Sequence, residues 1–196
     1  MEIVQKGLAR RYKKERRFKF FGLSAIVFSL ICLAVLFVSI FGNGYSAFWQ
    51  TAVRLDLFLD PGQFNAQHLG NADYQGVIKK AMRDAFPQVT TRGERRKLYS
   101  IVSSGAGYQL LEAVRKNPEK IGQTISIWVS ADDDVDMLMK GYIDRTVPEM
   151  SRRLSDLQIA WIDQLQADGR IKKRFNTTFF TAGDSREPEL AGIWGA

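Results

Sequence analysis

The sequence has one cysteine and one histidine in 196 residues. Cys32 lies inside an apolar run, so no intramolecular disulfide can form, and its thiol reads as a small apolar side chain. His68 stands alone, which excludes a metal cluster built on histidines and leaves a solvated imidazole as the expectation. Gly105-Ala106-Gly107 is not followed by Gly-Lys-Ser/Thr, so it is not a phosphate loop. A helix start behind such a turn can gather an anion, but turns of small residues are common without one. No nucleophile and base stand in a recognisable constellation. No catalytic residue, cofactor-binding residue or metal ligand is assigned, no cofactor is implied, and no enzyme activity is expected.

Negative charge is scarce in one place only. The chain carries +7 overall. Residues 1–19 hold Lys6, Arg10, Arg11, Lys13, Lys14, Arg16, Arg17 and Lys19 against Glu2 and Glu15, eight minus two or +6. The other 20 basic and 19 acidic residues leave the body at +1. The basicity therefore belongs to a short tail, and no nucleic-acid partner is expected.

The segment after the tail accounts for it. Phe20–Phe41 is a run of 22 residues without a charge, rich in Phe, Leu, Ile, Val and Ala. As a helix it is about 33 Å long at roughly 1.5 Å per residue, enough to cross a hydrocarbon core of about 30 Å. Ser24, Ser29 and Ser39 can return their hydroxyls to the preceding turn. Tyr45, Phe48 and Trp49 come next, as in the aromatic belt of a membrane boundary. A transmembrane helix is expected over 20–42, in contact with membrane lipid. Basic residues beside a first span stay in the cytoplasm, which predicts a cytoplasmic tail over 1–19 and a periplasmic domain over 43–187 of an inner-membrane protein. Arg16-Arg17-Phe18 resembles a twin-arginine signal. The apolar run is longer than a signal core, however, and no Ala-x-Ala site comes after it, so an uncleaved anchor is expected.

Beyond residue 50 the patterning predicts a small mixed α/β domain, giving an α+β fold class overall. Val53–Leu57 alternates as a strand and Pro61-Gly62 turns the chain. Asn71 can cap a helix to Ala85 or Phe86, with Tyr74, Val77, Ile78, Ala81 and Met82 on one face. Further helices are expected over Arg92–Val102, Tyr108–Lys116 and Pro148–Ala167, the last stopped by Gly169. Gln123–Ser130 reads as a buried strand and Ile171–Thr181 as a final one.

Charge gathers at two places in this domain. Asp132-Asp133-Asp134-Val135-Asp136 starts like a calcium loop, but Met137 replaces the required glycine and Ile143 the bidentate Glu. The better reading is a row of acids at a helix start, where free N–H groups favour them. Arg92, Arg95, Arg96 and Lys97, with Lys79, Lys80 and Arg83 nearby in sequence, can attract an anion or an acidic partner surface. A solvated helix face is the simpler reading. Folding would have to bring Arg92, Arg96 and Arg115 together to make a site for a small anion.

Ser185-Arg186-Glu187-Pro188-Glu189 is polar, and Leu190–Ala196 begins an apolar stretch, as if 188–196 started a second membrane segment at which the chain is cut. Residues Ser185–Ala196 resemble the start of the permease domain of the phosphate ABC transporter's A-type permease subunit. Arg11–Lys19, Phe48-Trp49-Gln50-Thr51 and Phe175-Asn176-Thr177-Thr178-Phe179-Phe180 are similar to that subunit's long N-terminal extension. The resemblance implies part of an importer of inorganic phosphate. Its partners would be a partner permease subunit, a cytoplasmic ATPase subunit and a periplasmic phosphate-binding protein, with the extension anchoring and docking. A membrane-anchored periplasmic sensor or interaction domain unrelated to transport is the alternative.

Overall fold

Helix α1 spans Glu2–Gly44 in a computed structural model that describes residues 2–64 and 69–194. His68, Gly195 and Ala196 lie outside the described residues. Within Tyr12–Gly42 an 18-residue window has a mean hydropathy of 2.8, and none of that window is buried among the described residues. Phe20, Leu23, Val27 and Leu36 all face outward. Its length and composition suffice for a bilayer. Ser29 Oγ donates to the Ala25 carbonyl at 3.0 Å, so one of the run's hydroxyls is satisfied within the helix. Helix and basic segment are continuous, with Lys19 paired to Glu15 at 2.7 Å one turn away.

A second compact unit begins at Ser46. Among the described residues its sheet has three strands in the order β2-β1-β3, all antiparallel. β1 covers Trp49–Phe58, β2 Thr124–Ser130 and β3 Ile171–Phe175. Leu55 sits opposite Ile127, and Val53 opposite both Val129 and Ile171, so β1 carries the register of the whole sheet. Helices α2 (Tyr74–Ala85), α3 (Arg92–Tyr99) and α4 (Ala106–Lys116) lie between β1 and β2 in sequence. After β2 come α5 (Asp133–Lys140) and α6 (Asp156–Ala167), and α7 (Thr177–Thr181) comes after β3. Val53, Leu55, Met82, Leu98, Leu110 and Ile162 are at the centre of one core. The result is a mixed α/β domain behind a long apolar helix.

The helix faces match the sequence pattern closely, and the ends less so. Tyr74, Val77, Ile78, Ala81 and Met82 are the buried face of α2, at the spacing that places side chains on one stripe. Its cap, however, is Asp73, whose carboxylate accepts from Gly76 N at 2.8 Å. Asn71 belongs to a short 3-10 turn before it. α3 stops at Tyr99 rather than Val102, because Val102 leaves to bridge Ala131 at the sheet. The helix expected from Pro148 starts only at Asp156. Ser155 and Gln158 form a reciprocal capping box there, a stronger start signal than Pro148, whose backbone is extended. β2 is buried only at its Val129–Ser130 end, since it is an outer strand with Ile125 and Ile127 half-covered. β3 ends at Phe175 and not Thr181: the Asn176 side chain accepts from Phe179 N at 3.1 Å and opens α7.

Pro188–Leu190 forms a 3-10 turn that packs back on the domain. Gly192 N donates to Gly183 O, Ile193 N to Phe179 O and Trp194 N to Ala182 O. A Cβ on Gly192 would collide with the carbonyls of Ala182 and Thr178, so only glycine admits this approach.

The capping box yields a direct test. Ser155→Ala removes the acceptor for Gln158 N and the hydroxyl that donates to Gln158 Oε1. It is expected to lower unfolding stability by about 0.5–2 kcal/mol in urea titrations. An unchanged midpoint would mean that α6 is held by packing alone.

Candidate functional site

The basic residues of α2 and α3 come together around one aromatic ring. Tyr99 closes α3, and its hydroxyl accepts from Arg83 Nη1 at 2.8 Å. Lys79 Nζ stands 5.8 Å and Arg83 Cζ 6.0 Å from the ring centroid. A ring face is a weak attractor for cations, so Tyr99 holds in place two charges that otherwise repel one turn apart. Arg92 and Arg96 are a second like-charge pair one turn apart, both exposed. Two concavities of about 520 and 970 Å³ share Arg96 and Tyr99 as a common wall. The first also meets Lys79, with Asp132 and Glu187 on its lining; the second meets Arg92 and Arg95. Such a trough can gather carboxylates or other anions through Arg forks.

Not every residue of the expected cluster joins it. Lys80 lines a separate depression beside Asp56, Asp60 and Asp84. Lys97 turns to Glu149 at 3.8 Å. Arg115 lines neither concavity and pairs with Glu112 at 3.4 Å, so the three-arginine site does not assemble.

The acidic run begins α5, as its sequence position implied. Asp132 is the cap residue, with an extended backbone and a carboxylate that accepts from Asp134 N at 3.2 Å. Asp134 faces Arg153 at 3.2 Å. Asp136 accepts Thr51 N at 2.7 Å and pairs with Lys140. Oxygens of Asp132, Asp133 and Asp134 lie within 4.8 Å of one another. Three acids at a helix start are stabilised by its exposed N–H groups without an ion, and Arg153 supplies a counter-charge.

Beside them lies a feature that local sequence does not announce. Glu189 is 7% exposed. Its Oε1 accepts from Ser103 Oγ at 2.6 Å, Oε2 has no partner among the described residues, and the Gln50 side chain donates to its backbone carbonyl. Ser103 Oγ in turn accepts from Gly105 N at 3.0 Å. Burial pushes the Asp132 carboxyl up to about 7; the Asp134 N–H opposes this, and the neighbouring Asp133 and Glu189 charges add to the rise.

The glycines of 105–107 serve packing. A Cβ at Gly105 would strike the Leu190 side chain, and one at Gly107 would meet the Gln75 amide at 2.9 Å. The strand register builds a second aromatic centre that local sequence does not mark. Trp128 faces Arg54 across the strands, and Lys172 Nζ lies 3.9 Å from its ring centroid. Arg174 Nη1 donates to the Trp128 carbonyl, and burial lowers the Arg174 pKa.

A family described as a domain of unknown function (DUF3333) matches residues 5–149. No curated protein and no solved structure matches the chain.

Two outcomes are expected at the acidic helix start. Between pH 4 and 7 native Asp132 retains a proton that the unfolded chain has lost, so its contribution to stability falls as pH rises. Asp132→Asn keeps the capping acceptor without the charge. It should therefore raise stability at pH 8 by about 1–2 kcal/mol and change little at pH 4, the size being limited by partial exposure. An equal effect at both pH values would reject the raised carboxyl. Millimolar calcium is expected to leave the melting temperature unchanged, since only a ligand of the folded state raises it. A rise of several degrees that is lost in Asp132→Asn would make the acids a cation site.

Proposed function

We propose that this chain, which belongs to the DUF3333 family, is the N-terminal part of the permease subunit of an ABC importer for inorganic phosphate. In this reading α1 crosses the inner membrane with residues 1–19 in the cytoplasm. The domain over 43–187 is periplasmic and docks proteins rather than moving phosphate itself. The observation that carries it is the similarity of Phe175–Phe180 and Ser185–Ala196 to the stretch leading into the A-type permease domain. Those residues lie outside the family match at 5–149. The apolar surface of Phe20–Phe41 supports the anchor, and the +6 tail supports its orientation. The partners in this reading are the second permease subunit, the cytoplasmic ATPase and the periplasmic phosphate-binding protein.

A membrane-anchored interaction domain unrelated to transport is the second reading. The trough around Tyr99 favours it, because it provides a docking surface without any transporter.

Uptake separates the two. Deleting the gene is expected to abolish high-affinity uptake of labelled phosphate by the cell; unaltered uptake would leave the second reading. Orientation is tested independently by fusing alkaline phosphatase after Trp49 or Trp194. Both fusions should be active, and inactivity at both sites would place this domain in the cytoplasm.

A further inference from the structure

Part of the exposed apolar surface of the second unit gathers as stacked rings at one corner. Trp49 opens β1 and Phe175 ends β3, and the register sets them opposite each other. Their rings meet edge to face with centroids 6.3 Å apart. α7 then turns back, so that Phe180 stacks on Phe175 at 5.6 Å and on Phe48 at 5.9 Å. Phe179 closes against Phe48 and Phe180 edge-on. Trp49, Phe175 and Phe180 nevertheless stay 37, 51 and 38% exposed. Ile193, bonded through its N–H to the Phe179 carbonyl, is 55% exposed. These rings pack on one another and present a rigid apolar surface outward, at little cost in side-chain freedom. A contiguous patch of this kind marks an interaction surface.

We propose that this corner sits in the interfacial layer of the lipid bilayer, its rings at the level of the headgroups and upper acyl chains. The inference rests on the reading of α1 as a membrane span. Phe48 comes six positions after Gly42, the last residue of the apolar stretch, so the rings are tied to lipid by a tether of at most about 20 Å. Aromatic rings are the side chains that bilayer interfaces favour, since a flat apolar body suits the boundary between hydrocarbon and water. The charges suit the same partner. Lys173, exposed and two positions before Phe175, carries a long basic side chain that can lay its stem on apolar surface while its head reaches lipid phosphates. A core-seeking function for the rings is excluded by their position: they stand at the strand ends, outside the cluster around Val53 and Leu110.

The test uses the full chain in nanodiscs loaded with one copy each, in a Cys32→Ala background. An environment-sensitive fluorophore is attached at Phe180→Cys or, to leave the rings intact, at Lys173→Cys. Met150→Cys, at a fully exposed position, is the reference. The label at 180 and at 173 is expected to emit blue-shifted light that is quenched by a lipid with a nitroxide on its headgroup. The label at 150 is expected to show neither effect. Water-like emission at 180 and 173 would overturn the proposal. So would shielding seen only in discs that hold two copies, which would make the corner an interface between chains. A chain recovered outside the discs would overturn the span itself, and the corner with it.

Discussion

Everything in the second unit depends on β1 finding hydrogen-bond partners on both edges. A central strand cannot leave its N–H and C=O groups to solvent. β2 and β3 supply most of them, yet β2 stops at Ser130, opposite Ala52. Beyond that point the Thr51 carbonyl accepts from Ala131 N, and Thr51 N donates to the Asp136 carboxylate at 2.7 Å. An acid on α5 thereby completes a strand. This also explains the burial of β1: Gln50, Thr51, Ala52 and Val53 are covered on both faces, and the alternation of buried and exposed residues appears only towards Phe58.

The charges of the domain divide by role. Asp136 and Glu189 are used inward, one on a backbone donor and one on the Ser103 hydroxyl. The cations of α2 and α3 are used outward, and the fold accepts two like-charge pairs on consecutive helices to keep them there. Each such pair costs a few tenths of a kcal/mol. Ordinary surface design would alternate the signs, so a face of this kind answers to something outside the folding problem.

Much of the fold was legible because it rests on local periodicity. The buried stripe of α2 comes from the spacing of Tyr74, Val77, Ile78, Ala81 and Met82 alone, and the exposed apolar helix from an unbroken run. The errors lie where two local signals compete. Ser155 with Gln158 outranks Pro148 as a helix start, and Asn176 interrupts what reads as one strand. The candidate sites were legible only in part. The basic residues stood out, but their gathering around Tyr99 needs the packing of α2 against α3. Trp128 with Arg54 and Lys172 needs the strand register, and Glu189 on Ser103 joins residues 86 positions apart. No local pattern encodes such pairings.

The seat of Glu189 bears on how the domain can be cut from its chain. Ser103 Oγ and the Gln50 amide both spend hydrogen bonds on that one residue, and both are buried. A fragment ending at the polar stretch Asp184–Glu187 looks like a natural boundary. It would strip a serine and a glutamine of their acceptors and uncover Gly105, against which Leu190 packs. The workable boundary lies past Trp194, after the returning chain has closed its bonds to Gly183, Phe179 and Ala182.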